Sequence, residues 1–167
     1  YTLATGNYEW KQVYEDFLVS PGDINVEISP SDELYAYSAS AVPGIHKYAG
    51  GTWHDITPSG IVKIYQLQFD STGAIYARGC DANNNNRTLK RYDPGTQTWT
   101  DIMPDGGTWS NIIGIDGSDV LYVQVETPEG RKIQKYAHAD GGGVWTDITP
   151  LDMASNPLST PPVDSSG

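Results

Sequence analysis

The chain writes Trp-x-Asp-Ile-x-Pro three times, at Trp53, Trp99 and Trp145, each forty-six residues after the one before. A motif recurring at this interval constrains the fold more than any other feature here, because periods of about 40–50 residues belong to propellers and solenoids. The rest of the unit recurs with it. Alternating apolar pairs stand at Val26-x-Ile28, Leu67-x-Phe69 and Ile113-x-Ile115. Seven residues past each pair comes a tyrosine, Tyr35, Tyr76 or Tyr122, and the turn-forming stretches "SPSDE", "DSTG" and "DGSD" lie between. Period-two alternation around such a turn predicts a hairpin of half-buried strands.

A third strand follows in each unit, "IHKY", "LKRY" or "IQKY", with Ile45, Leu89 and Ile133 apolar and Tyr48, Tyr92 and Tyr136 at its end. The Trp-x-Asp-Ile segment is the fourth. From tyrosine to tryptophan the interval grows as 5, 7 and 9. Additions in pairs lengthen a hairpin loop without exchanging the faces of the strand beyond it. The proline after each fourth strand ends it. The repeated Trp and Ile are expected to form the buried face of that strand. Four antiparallel strands per repeat describe a β-propeller blade, so the predicted class is all-β, a propeller-type array of about three and a half blades per chain.

On these residues the sequence is similar to two groups of propellers. The "W-x-D-I-T-P … LY" cadence resembles the repeats of secreted xyloglucanase-type and sialidase-like propellers. The short Trp-then-Gly-Ile-Tyr rhythm resembles tectonin and tachylectin lectin repeats. The resemblance runs over about residues 8–150 and implies a fold, not an activity.

Three full blades are expected at 23–58, 64–104 and 111–150 within a repeat region of 1–150. Residues 1–13 form a partial blade, with Trp10 and Val13 in the places of Trp53 and Ile56. The Pro/Ser-rich tail 151–167 has no alternating pair and is expected to be extended or strand-donating. Three outcomes follow for the incomplete ring. The tail completes it internally, the tail inserts into a neighbouring subunit, or the chain is a fragment of a longer propeller.

Chemistry is harder to find. There is no Gly-x-Ser-x-Gly or His-Glu-x-x-His, and His46, His54 and His138 have no ligand spacing, so no catalytic residue, metal site or cofactor is expected. Asp55, Asp101 and Asp147 recur in every unit and read as turn caps rather than acids. Cys80 is alone, so no intrachain disulfide forms. A net charge of −11 argues against duplex nucleic acid and anionic membranes as partners, and no apolar run reaches the ~20 residues of a membrane-spanning helix.

Asn86-Arg87-Thr88 is a sequon beside the Asn83–Asn86 run, which makes Asn86 a candidate for N-linked sugar; Ser159 and Thr160 in the tail are candidates for O-linked sugar. The sequence reading is therefore a non-enzymatic structural module, extracellular or on a cell surface. It partners itself, as a homo-oligomer or filament, by strand pairing between subunits that completes the propeller. Two alternatives stand beside it. One is a lectin-like propeller whose glycan sites use Trp109, the one tryptophan of repeats 23–150 that lies off the motif, with Tyr35, Tyr76 and Tyr122. The other is a fragment of a secreted glycoside hydrolase.

Overall fold

A computed structural model describes residues 24–39, 44–139 and 142–150. All regular structure among them is β. Sheet 1 contains β1 (Asn25–Ile28), β2 (Leu34–Ser38), β3 (Gly44–Ala49) and β4 (Thr52–Asp55). Sheet 2 contains β5 (Lys63–Phe69), β6 (Ile75–Cys80), β7 (Thr88–Asp93) and β8 (Thr98–Asp101). Sheet 3 contains β9 (Trp109–Ile115), β10 (Leu121–Thr127), β11 (Gly130–Ala139) and β12 (Gly142–Asp147). Every sheet is an antiparallel meander in chain order. Sheet 1 lies within residues 23–58, whereas β5 begins one residue before 64 and β9 two residues before 111. Residues 1–13, with Trp10 and Val13, and the tail 151–167, with Ser159 and Thr160, lie outside the described residues.

The register follows the loop arithmetic. Tyr48 pairs with Trp53, Tyr92 with Trp99 and Tyr136 with Trp145, although the connecting loops differ in length. Their rings meet at centroid distances of 5.2, 5.1 and 4.9 Å, tilted by about 50°, a geometry that aromatic quadrupoles favour over face-to-face stacking.

Sheet 2 packs on both neighbours because its strands are apolar on both faces. Ile64, Leu67, Ile75 and Ala77 join Tyr35, Tyr37 and Ile45 of the first unit, and Ile61 of the connection before β5, in one core. Ala74, Tyr76, Leu89 and Ile102 join Ile112, Leu121, Val123, Val125 and Tyr136 in a second. Neither core joins sheet 1 to sheet 3 among the described residues. Ile75 and Tyr76, one residue apart, thus serve opposite faces, as the strand period requires.

Two expectations are corrected. First, the repeated Trp and Ile do not share a face. They stand three apart, an odd step that alternation sends to opposite sides. Trp99 packs back against the core shared with sheet 1, while Ile102 packs forward into the core shared with sheet 3. Second, the residue equivalent to Leu67 in β9 is Ile112, not Ile113. Leu67 pairs with Ala77, and Ile112 pairs with Val123 at the matching place. A β-bulge leaves Ile113 without a register partner, and its side chain is 57% exposed. A bulge also inserts Tyr65 in β5, between the Ile64–Gly79 and Gln66–Arg78 pairs.

Opposite the β5 bulge, Gly79 runs so close to its neighbours that a Cβ there would stand 2.5 Å from the Lys63 carbonyl oxygen and 2.6 Å from Ile61 Cγ2. Backbone cannot yield as a side chain does. Gly79→Val is expected to lower stability by about 2–3 kcal/mol, measured as a shift of the urea midpoint; an unchanged midpoint would show that the bulge relaxes freely.

Candidate functional site: the faces between sheets

The β5–β6 and β9–β10 turns are each built on one aspartate. In sheet 2, Asp70 Oδ1 accepts from Thr72 N at 3.0 Å, Thr72 Oγ1 at 2.6 Å and Ala74 N at 3.0 Å, while Oδ2 accepts from Tyr76 Oη at 3.2 Å. Asp116 repeats the scheme with Ser118 N, Val120 N and Tyr122 Oη at 2.9, 3.0 and 3.0 Å. In the first unit the work is divided. Ser29 Oγ accepts from the Ser31 and Glu33 amides, and Glu33 takes the Tyr35 hydroxyl at 2.9 Å. A short polar side chain mimicking a backbone acceptor is the general chemistry of such turns. Burial, with Asp70 alongside, pushes the Tyr76 phenol up to about 12 even though Arg91 opposes it.

The second component spans the sheets. Trp99 Nε1 donates to the Ile56 carbonyl at 2.7 Å, and Trp145 Nε1 donates to the Ile102 carbonyl at 2.9 Å. Each tryptophan thus reaches back to the unit before it. At the junction of sheets 2 and 3 further contacts join. The Gln66 amide accepts from Ile112 N at 3.0 Å and donates to Ile112 O at 3.2 Å, beside the bulge. Asp119 accepts from Ser71 N and Oγ at 2.7 and 2.6 Å, turn to turn. Arg91, nearly buried, lies over the Tyr76 ring at 5.9 Å and donates to its hydroxyl at 3.4 Å.

The recurrent aspartates close each unit. Asp55 and Asp147 accept from the amide and hydroxyl of Thr57 and Thr149. Those threonine hydroxyls in turn accept from Ile45 N at 2.9 Å and Ile133 N at 2.8 Å, tying the turn to the third strand. Unit two has Met103 in the threonine's place, and there Thr88 Oγ1 donates directly to Asp101 Oδ2 at 2.8 Å. Burial works to raise the Asp101 pKa, but the Met103 amide, Thr88 and Lys90 outweigh it and hold it below the ordinary carboxylate value. Asp147 is lowered by the Thr149 hydroxyl and amide. A depressed folded-state pKa contributes stability above the unfolded value of about 4, which is lost as pH falls through the folded pKa. Acid titration followed by circular dichroism should therefore show unfolding that begins below about pH 4. Asp101→Asn should lower stability at pH 7 and flatten its fall with acid; an unchanged acid limb would remove Asp101 from this role.

The sequence-derived sites are dispersed. Tyr35 and Tyr76 are buried between sheets, at 3% and 0% exposure, so no sugar ring reaches their faces. Tyr122, their counterpart, is partly exposed on the side of sheet 3 that looks away from sheet 2. Trp109 belongs to β9 itself rather than to a loop, and Arg78 of sheet 2 lies 4.5 Å from its ring centroid and 5.1 Å from that of Tyr65. This guanidinium sandwich makes Trp109 a contact between sheets. Asn86 is exposed on the β6–β7 turn at positive φ, and its Nδ2 donates to Asp81 at 2.8 Å. Cys80 is a buried free thiol beside the Tyr65 hydroxyl. Sequence reading missed Gln66, Arg78 and Asp119, whose partners in the neighbouring sheet are 31–48 residues away and carry no local signal.

A cleft of about 340 Å³ opens between β8 and β12, lined by Arg91, Asp101, Met103, Tyr136, His138 and Trp145 among others. His46, His54 and His138 do not converge, and among the described residues no group of three or more His, Cys, Asp or Glu side chains is placed to hold a metal ion. Among those residues, too, no helix is long and apolar enough to cross a membrane. What the arrangement offers chemically is a surface that repeats. No protein-family model matches the chain, and neither does any curated protein.

Proposed function

We propose that the three sheets are consecutive blades of a β-propeller-type array and that the chain is a non-enzymatic structural module of the extracellular space or cell surface. It assembles with copies of itself, into fibres where the ring stays open, through strand pairing between subunits. One observation carries this reading. The Trp-to-carbonyl bracket that joins unit one to unit two joins unit two to unit three as well. The same device presents a third acceptor, the Ile148 carbonyl, on a sheet that has no further neighbour among the described residues. Interfaces that repeat head to tail close into rings or run on as filaments.

Exposed apolar side chains at the two ends of the array fit this reading. Val26 and Ile28 of sheet 1 are 57% and 65% exposed. Their register equivalents in sheet 2, Leu67 and Phe69, pack into the core between sheets 1 and 2. The glycan-binding reading has less support, since two of its three tyrosines are covered by protein. Sugar on Asn86 would sit on an exposed turn, away from both end faces, and so be compatible with assembly.

Residues 151–167 are the strand donor in this account. Sedimentation velocity on the whole chain and on a chain ending at Pro150 tests it. The whole chain should form species larger than a monomer, and the shorter one should lose them while keeping its β-sheet circular dichroism. A whole chain that is monomeric at every concentration would overturn the assembly reading.

A further inference from the structure

The face of sheet 3 that looks away from sheet 2 can be compared position by position with the face of sheet 2 that receives sheet 3. In sheet 2 the receiving side carries Gln66, Tyr76, Leu89, Arg91 and Ile102, each with a partner described above. The register places Asn111, Tyr122, Ile133, Lys135 and Ile148 at the same points of sheet 3. The chemistry is retained at each: an amide, a phenol, an aliphatic side chain, a cation and an aliphatic side chain. Tyr122 Oη donates to Asp116 as Tyr76 Oη does to Asp70, so the hairpin is already set. The Ile148 amide donates to the Ile133 carbonyl at 2.9 Å, as Ile102 N does to Leu89 O, which fixes the next carbonyl in the receiving position. Yet Leu89 and Ile102 are 0% and 7% exposed, whereas Ile148 is 39% exposed. Sheet 3 is thus folded as a receiver for one more unit.

What such a face receives is defined by the two filled examples. The incoming element is a strand with a tryptophan whose indole N–H reaches the carbonyl and whose third residue onward is a β-branched aliphatic. Outside the three described units, one segment of the chain has that pattern, Tyr8–Val13, "YEWKQV", where Trp10 precedes Val13 as Trp53 precedes Ile56. We infer that this face of sheet 3, uncovered by any other sheet among the described residues, is a docking site for Tyr8–Val13 of a second copy, with the Trp10 indole donating to the Ile148 carbonyl. This rests on the assembly reading and deepens it.

Photo-crosslinking tests the occupant directly. Tyr122→p-benzoylphenylalanine places a reactive ketone on the face, and Thr146→p-benzoylphenylalanine, on an exposed residue of β12 on the same side, guards against a variant that disturbs the hairpin. Chains labelled with heavy nitrogen are mixed with unlabelled chains, irradiated, digested and read by mass spectrometry. The expected product joins the benzoylphenylalanine peptide to the peptide containing Trp10, in heavy–light pairs, and Trp10→Ala reduces its yield by at least tenfold. Crosslinks to the Trp10 peptide within single chains would overturn both the second copy and the assembly reading. Crosslinks that map away from residues 1–23 in an oligomeric sample would overturn this inference and leave assembly standing.

Discussion

Tyr76→Ala should be the most damaging single truncation in the protein, lowering stability by about 4 kcal/mol and the urea midpoint by about 2 M. The ring is fully buried between sheets 2 and 3, its hydroxyl joins Asp70 to Arg91, and the Arg91 guanidinium lies over its face. Removing it opens a cavity in the core and leaves a nearly buried cation and a buried carboxylate without their shared partner. Tyr76→Phe separates these contributions. It keeps the packing and removes only the hydroxyl, so a loss of about 1–2 kcal/mol is expected. A domain of this size has about 5–15 kcal/mol in total, so the alanine variant will be partly unfolded at 37 °C if the wild type sits low in that range. An alanine variant within 1 kcal/mol of wild type would show that sheets 2 and 3 do not depend on this core.

Trp99→Ala comes next, with an expected loss of about 3 kcal/mol. Its indole meets the Tyr92 ring at a tilt, packs against the core shared with sheet 1 and donates to the Ile56 carbonyl. Because that bond crosses from one unit to another, the variant should do more than weaken sheet 2. Amide hydrogen exchange should quicken across β2 and β3, whose side chains line the core that Trp99 closes. Trp99→Phe should retain most of the packing and lose about 1 kcal/mol for the bond. Trp99 and Trp145 close different junctions, so their effects should add to within about 0.5 kcal/mol in the double variant. Exchange that quickens only within β7 and β8 would reduce the tryptophan to an ornament of its own hairpin.

Much of the β architecture is legible in the sequence because its determinants are local. Strand alternation, the turn stretches and the Tyr–Trp intervals of 5, 7 and 9 identify the hairpins, while the Tyr48–Trp53, Tyr92–Trp99 and Tyr136–Trp145 pairs emerge from the register. The aspartates at the unit ends are turn caps by position and by hydrogen bonding. Faces are harder. Trp99 and Ile102 recur together, which suggests a shared surface, but the step of three separates them. Ile113 aligns with Leu67 at the common interval, yet the bulge shifts the buried place to Ile112. A bulge adds a residue without changing composition or hydrophobicity, so only the pairing reveals it.

The contacts between sheets were the least legible. Gln66 with Ile112, Arg78 with Trp109 and Ser71 with Asp119 join residues far apart in the chain, and each looks like an ordinary surface side chain in sequence. The tyrosines show the same limit from the other direction. Repetition makes Tyr35, Tyr76 and Tyr122 look equivalent, but two lie under a neighbouring sheet and one does not. That difference is invisible in the motif.

The central proposal is that the face of sheet 3 left uncovered by the described residues joins chains. Multi-angle light scattering over a range of concentrations, with negative-stain imaging of the same samples, tests it most directly. The account predicts a mass that rises with concentration in multiples of 18.2 kDa, and ordered rings or fibres in the images. A mass fixed at 18.2 kDa at every concentration, with native β signal, would contradict it.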